Sequence, residues 1–381
     1  MLTEKGHLCS KCMKEIEDFD ICPFCGFSQS SPYLPECLAP KTSLQERYSV
    51  GAMIKKTGEA ISYMGYDHVT DSPVIIKEFF PSNIAGRDNQ SNKIYPFTGS
   101  ESKYKSLLLD FVDLAKIMTR SRSLSAVIPV LDVFEENNTV YTISQYIEAI
   151  TLREYLMQIG GEIDWEQAKA KFAPIISAIN TIHSSVNLNH LGISPETILV
   201  DKSENFKISD FSIEALRITK SEIIPEIYAG YAAPEQYNSA NWLGEWSDVY
   251  AIAAVIYKTV TGTMPPESTG RIVNDNLVAA YKLNKNVPVN ISNALMKAMN
   301  VSPEKRTQTV DELIIAFSET AEFLNPAQPE PEAPKPSKSK WIWVSVIAGS
   351  VIIIGVIAFF ILNWLLTDNG NPFFPNHSAD P

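Results

Sequence analysis

The stretch Asn189 to Val200 reads N-H-L-G-I-S-P-E-T-I-L-V, and the chain on either side of it decides the fold class. Immediately upstream, Phe172, Ile175, Ile176, Ile179 and Ile182 recur at helical spacing, and downstream Ala251 to Val260 forms a second apolar helix. Before Thr151 the pattern is different. Short β-branched runs (P-V-I-I-K-E-F-F, V-I-P-V-L-D-V-F and T-V-Y-T-I-S-Q-Y-I) are interrupted by one helical stretch, Lys103 to Thr119. A strand-rich part followed by a mostly helical part is an α+β pattern. With 381 residues, 45% of them hydrophobic, the chain can bury a sizeable core. Its formal charge of -12, with no clustered excess of Lys and Arg, excludes nucleic acid as the main partner.

The opening stretch keeps His190, Pro195, Glu196, Ile198 and Leu199 of a longer ordered series. Val74-Ile-Ile-Lys77 precedes it, and Ile208-Ser-Asp-Phe-Ser212, Ala233-Pro-Glu235, Asp248 in W-S-D-V-Y and Arg306 in S-P-E-K-R follow. In this order they resemble V-A-I-K, H-R-D-L-K-P-E-N-I-L, D-F-G and A-P-E of the eukaryotic-type protein kinases, in a bacterial form. The resemblance runs from about Leu44 to Phe323, nearly three quarters of the chain. It implies a bilobal fold in which Glu235 pairs with Arg306 and Asp248 ties the catalytic-loop backbone to the following helix. It also implies that Lys77 reaches the α- and β-phosphates of ATP. Asp110, placed through Leu114-Ala-Lys116, either pairs with Lys77 or is a solvated helix residue. Asp210 either holds one Mg(II) or accepts local backbone hydrogen bonds.

The departures fall on the chemistry. Gly192 stands where the family has the proton-accepting Asp, Leu191 replaces the preceding Arg, Ser194 the Lys and Thr197 the metal-holding Asn. The three glycines of the phosphate loop fall on Lys55, Thr57 and Ala60, leaving Gly58 beside them and a hairpin turn as the simpler reading. The losses imply a catalytically inactive pseudokinase, not an enzyme, that serves protein partners as a regulatory or scaffolding module. The alternative is an atypical active protein kinase or nucleotide transferase that uses Lys77 and Asp210.

Outside this domain, Cys9-x2-Cys12 and Cys22-x2-Cys25 have the spacing of a zinc ribbon, since four thiolates satisfy tetrahedral Zn(II). Two disulfides or a redox pair are the alternatives, and a reducing cytosol disfavours them. Residues 326–336 carry five prolines and read as an extended spacer, and Trp341 to Leu366 is 26 residues without a charge, long enough to cross a bilayer. Lys335, Lys338 and Lys340 before it and Asp368 after it place the N-terminal side in the cytoplasm. The expected organisation is zinc ribbon 1–28, linker 29–43, kinase-like domain 44–324, Pro-rich linker 325–340, transmembrane helix 341–366 and outer tail 367–381, a single-pass protein of the cell membrane.

Overall fold

The computed structural model describes residues 7–17, 19–238 and 242–318. The chain divides into two units, Met1–Phe323 and Leu324–Pro381. The expected spacer, membrane helix and outer tail lie outside the described residues. Among the described residues no helix is long and apolar enough to cross a membrane.

The strand-rich part comprises β1 (Ser43–Leu44), β2 (Tyr48–Lys56), β3 (Ala60–Asp67), β4 (Ser72–Phe79), β5 (Ala85–Arg87), β6 (Ile94–Pro96), helix α1 (Glu101–Arg120), β7 (Val130–Glu136) and β8 (Thr139–Gln145). Six of the strands form one sheet in the order β1-β2-β3-β4-β8-β7, with antiparallel neighbours. Asn137 and Asn138, with φ of 54° and 59°, make the turn between β7 and β8, because a two-residue hairpin matching strand twist needs positive φ at both positions. Helix α1 buries Tyr104, Leu107, Phe111, Leu114, Ala115 and Met118 at spacings of three and four. Two of these rings pack on Phe79 of β4, with centroids 5.5 Å (Tyr104) and 5.3 Å (Phe111) away.

The helical part follows as β9 (Ala149–Thr151), α2 (Leu152–Gln158), α3 (Trp165–Val186), β10 (Ile198–Asp201), β11 (Phe206–Ile208), α4 (Glu245–Thr261), α5 (Ser268–Val273), α6 (Ala280–Leu283), α7 (Val289–Ala298) and α8 (Val310–Ser318). Helix α3 begins at Asp164, whose carboxylate accepts the Gln167 amide at 3.0 Å, and ends at Asn187 in the left-handed region. It buries the apolar face expected from the sequence, Phe172, Ile175, Ile176, Ile179 and Ile182. Helix α4 is buried on nearly every side and forms the centre of the large lobe. The small sheet β11-β10-β9 presents the two loops that matter, residues 189–197 entering β10 and residues 209–213 leaving β11. The lobes are tied beside it by Ile128 N–H donating to Ile208 O at 3.0 Å and Ile208 N–H to Ala126 O at 2.7 Å.

The segment 29–43 is not a free linker. Cys37 and Leu38 enter the small-lobe core, Leu38 N–H donates to Tyr63 Oη at 3.1 Å, and Lys41 N–H donates to Val50 O at 2.7 Å. Two apolar side chains in a Ser- and Pro-rich run anchor it, a signal that composition averages away. The cysteine knuckles also rest on the sheet. Ser10 O accepts Ala52 N–H at 2.7 Å where β2 bulges, and Met13 packs with Met64 and Tyr66.

Candidate active site

The catalytic-loop backbone is held from below. Asp248, fully buried at the start of α4, accepts the amides of His190 and Leu191, each at 2.7 Å, and lies 2.8 Å from His183 Nε2. These contacts hold Leu191 in a positive-φ conformation of 57°. His190 donates from Nε2 to Ser209 O at 2.8 Å and accepts the Gly192 amide on Nδ1 at 3.1 Å, so its ring is neutral and links the two site loops. Thr197 and Ser194 are buried and committed to the loop itself. The Thr197 hydroxyl donates to Gly192 O at 2.8 Å and accepts the Ser194 amide at 3.0 Å.

Lys77 projects from β4 into the cleft between the lobes. Its Nζ donates to Phe211 O at 3.3 Å and pairs with Glu59. Here the structure decides between the two readings of Asp110. Asp110 is exposed on α1, and the helix residue lying against Lys77 is Phe111, its ring centroid 5.6 Å from Nζ. The carboxylate that holds Lys77 comes instead from the β2–β3 turn, and Glu59 Oε2 also accepts the Ile213 amide at 3.0 Å. Partial burial, with Asp113 nearby, raises the pKa of Asp110, and its carboxyl lines a separate groove with Leu188, Ile213 and Glu222.

The phosphate-loop region is a tight hairpin, closed by Thr57 N–H donating to Ala60 O at 2.9 Å. A Cβ on Gly58 would lie 1.9 Å from Ile224 O, so the glycine is required by backbone of the segment after Phe211 packing directly onto the turn. Lys55, at a motif-glycine position, places Nζ 2.9 Å from Asp210 Oδ2, 2.9 Å from Glu226 Oε1 and 3.5 Å from Tyr228 Oη. Burial opposes ionisation of Asp210, but Lys55 and Lys77 outweigh it and hold the carboxyl below its ordinary range.

Gly192 has its own occupant. A Cβ there would lie 2.5 Å from Cζ of Arg217, a fully buried guanidinium that donates to Asp210 O at 3.0 Å, Ser212 Oγ at 3.1 Å and Glu226 Oε2 at 3.0 Å. The space beside the loop that a carboxylate would need is filled by a cation. Lys77, Phe111, Thr142, Asp210 and Phe211 line a cavity of about 80 Å³, smaller than the ~300 Å³ at which ligand clefts begin.

The sequence profile of the protein kinase domain matches residues 100–317, more than half of the chain. The chain belongs to the protein kinase family. Serine/threonine-protein kinase PrkC of Bacillus subtilis is 29% identical over 198 residues, 49% of this chain and 30% of that protein. Probable serine/threonine-protein kinase CA_C1728 of Clostridium acetobutylicum is 23% identical over 288 residues, 73% of this chain and 40% of that protein. The chain therefore spans between 30% and 40% of the length of these two relatives. Among solved structures, "PpkA-294 apo form" superposes with a TM-score of 0.62 at 27% identity, covering 74% of this chain and 99% of that one.

These relatives correct the expectation that the chain is not an enzyme, because across the kinase domain they are named serine/threonine protein kinases. Kinship with kinases also implies use of ATP with Mg(II). Asp210 has the donor chemistry for a metal ion, but its Oδ2 is engaged by Lys55. Thr197 does not fit the second metal position, since its hydroxyl is spent within the loop. The structure brings Lys77 and Asp210 to one cleft and leaves Asp110 outside it. Sequence reasoning missed Glu59, Arg217 and Glu226. Their only signal is an acidic or basic residue in a loop, which spacing cannot distinguish from a solvated one.

Ahead of the kinase domain, the Sγ atoms of Cys9, Cys12, Cys22 and Cys25 all lie within 4.8 Å of one another, with Cys9–Cys25 and Cys12–Cys22 at 3.7 Å. Four sulfurs around one zinc at 2.3 Å would be about 3.8 Å apart, so the donor set fits a tetrahedral ion. Gln29 Nε2 donates to Cys9 Sγ at 3.4 Å as an outer support. Burial opposes ionisation of the Cys22 thiol, but the amides of Phe24 and Cys25 outweigh it and bring it down to about 7.

The His190 environment predicts acid lability. Burial lowers its pKa from about 6.5 to about 4, so the unfolded chain takes up the proton first and stability falls as pH drops through that window. His183 runs the other way. Held up against burial by Asp248, its contribution is complete below the unfolded value and lost only as pH rises through the folded one. Urea unfolding at pH 5 should therefore show about 2 kcal/mol less stability from His190 than at pH 7. His190→Gln should flatten that difference, and an equal slope in the variant would refute the assignment.

Proposed function

We propose that this chain is an atypical serine/threonine protein kinase that transfers a phosphoryl group from ATP to a protein hydroxyl. The observation that carries the reading is the meeting of Lys77 and Asp210 in one cleft, joined through the Phe211 carbonyl and buttressed by Glu59. Lys77 binds and orients the phosphates, Glu59 keeps the ammonium aimed, and Asp248 sets the loop against which the acceptor hydroxyl lies. With no carboxylate at Gly192, the hydroxyl proton passes to a phosphoryl oxygen or to water as the new P–O bond forms and the bond to ADP, the leaving group, breaks. A general base contributes about 10²- to 10⁴-fold, so the reaction is slow but not abolished, because positioning and charge carry most of phosphoryl transfer.

The test is transfer of label from γ-labelled ATP to a mixed protein substrate by the full chain. Label should accumulate with the wild type and fall to background with Lys77→Met. Label that is absent from the wild type, or unchanged in the variant, would overturn the proposal.

We further propose that residues 341–366 span a membrane and hold the kinase domain at its cytoplasmic face. The supporting features are the 26-residue uncharged run and the lysines preceding it. Alkaline extraction of membranes should leave the full chain in the pellet and release a chain truncated at 324. Release of both would refute anchoring.

A further inference from the structure

We infer that the Lys55 ammonium replaces the divalent cation at Asp210, so that this cleft binds nucleotide without magnesium. The inference rests on the nucleotide reading above and adds to it which charge meets the phosphates. A metal in such a cleft bridges a carboxylate and phosphate oxygens. Lys55 is placed for the same bridge, with Nζ 2.9 Å from Asp210 Oδ2 and facing a second anion, Glu226 Oε1, at 2.9 Å. An ammonium has three donors and no acceptor, so it can keep Asp210 and turn the others to a phosphate.

Glu226 marks the place that phosphate would take. Its carboxylate lies between two cations, Lys55 and the buried Arg217, whose Nη1 is 3.0 Å from Oε2. Arg217 Nε, also buried, has no partner among the described residues. A phosphate entering beside Lys55 would take the place of the Glu226 carboxylate on that ammonium. The second metal position independently lacks a ligand, since the Thr197 hydroxyl is used inside the loop. Two separate changes thus remove the metal sites, and one of them supplies a cation in return.

The experiment is calorimetric titration of the full chain in detergent with ATP, in EDTA and in magnesium. The wild type should bind equally well in both, within about threefold. Lys55→Gly, which restores the motif glycine, and Lys55→Met should each lose about tenfold in EDTA, the effect of one charge-assisted hydrogen bond, and regain affinity when magnesium is added. The melting temperature of each variant establishes that it is folded. Wild-type binding that needs magnesium as much as the variants do would overturn this inference and leave the nucleotide reading intact. No ATP binding by wild type or variants in either buffer would overturn both.

Discussion

Replacing Arg306 with methionine should lower the unfolding free energy by about 3–5 kcal/mol, the cost of leaving one partner of a buried pair uncompensated. Arg306 and Glu235 are both inaccessible and meet in two parallel hydrogen bonds, Nη1 to Oε1 at 2.6 Å and Nη2 to Oε2 at 3.1 Å. The guanidinium also donates to Trp246 O at 3.0 Å and Asn300 O at 2.9 Å, and Glu235 accepts Ser247 Oγ at 2.7 Å. Methionine preserves volume but strands the Glu235 charge and two backbone carbonyls. Removing both charges with Glu235→Met/Arg306→Met should be milder than the sum of the single changes, because no ion is left unpaired. A double-mutant cycle by urea unfolding measures the coupling. A single Arg306→Met loss below 1 kcal/mol, or strict additivity, would show that the pair is not what holds the last part of the site segment to the large lobe.

Metal removal should have the second large effect. Structural zinc binding is worth about 10–16 kcal/mol to small ribbons, and a segment as short as residues 7–29 has too little apolar surface to fold without it. The four-cysteine segment touches the kinase domain through Ser10 on the β2 bulge and through Met13 on Met64 and Tyr66. Its loss should therefore also lower the melting temperature of the rest. Elemental analysis of reduced protein should find one zinc per chain, and Cys22→Ser should lose it. Chelation should expose the Met64 and Tyr66 surface to limited proteolysis. Stoichiometric zinc in Cys22→Ser, or an unchanged proteolysis pattern after chelation, would refute a structural ribbon seated on β2 and β3.

The two results bear on different parts of the molecule, and the sequence spoke about them unequally. The α3 face was legible from periodicity, whereas the lobes, the Glu235–Arg306 pair and the Asp248 clamp were legible only through the family resemblance of the ordered motifs, since the partners stand 71 and 57 or 58 positions apart. Cys9, Cys12, Cys22 and Cys25 were legible from spacing alone. Of the two readings of Asp110, the structure favours the solvated helix residue, for a physical reason. The alignment set the phase of α1 one residue away from the position that faces Lys77, and at that position an aromatic ring fills the space. The packed course of 29–43 was hidden because, of its side chains, Cys37 and Leu38 are the ones that enter the core and the rest is held by backbone hydrogen bonds.

From the residues alone came the membership in a bilobal kinase-like class, the thiolate quartet, and the absence of a carboxylate at position 192, since each is a matter of residue type in local order. Only the tertiary structure decided what stands in the vacated places. Glu59 supports Lys77 from a hairpin 18 positions away, Lys55 meets Asp210 across 155 positions, and Arg217 fills the room beside Gly192. Such pairings depend on the distance between charges brought together by the tertiary fold, and one-dimensional spacing contains no measure of that distance.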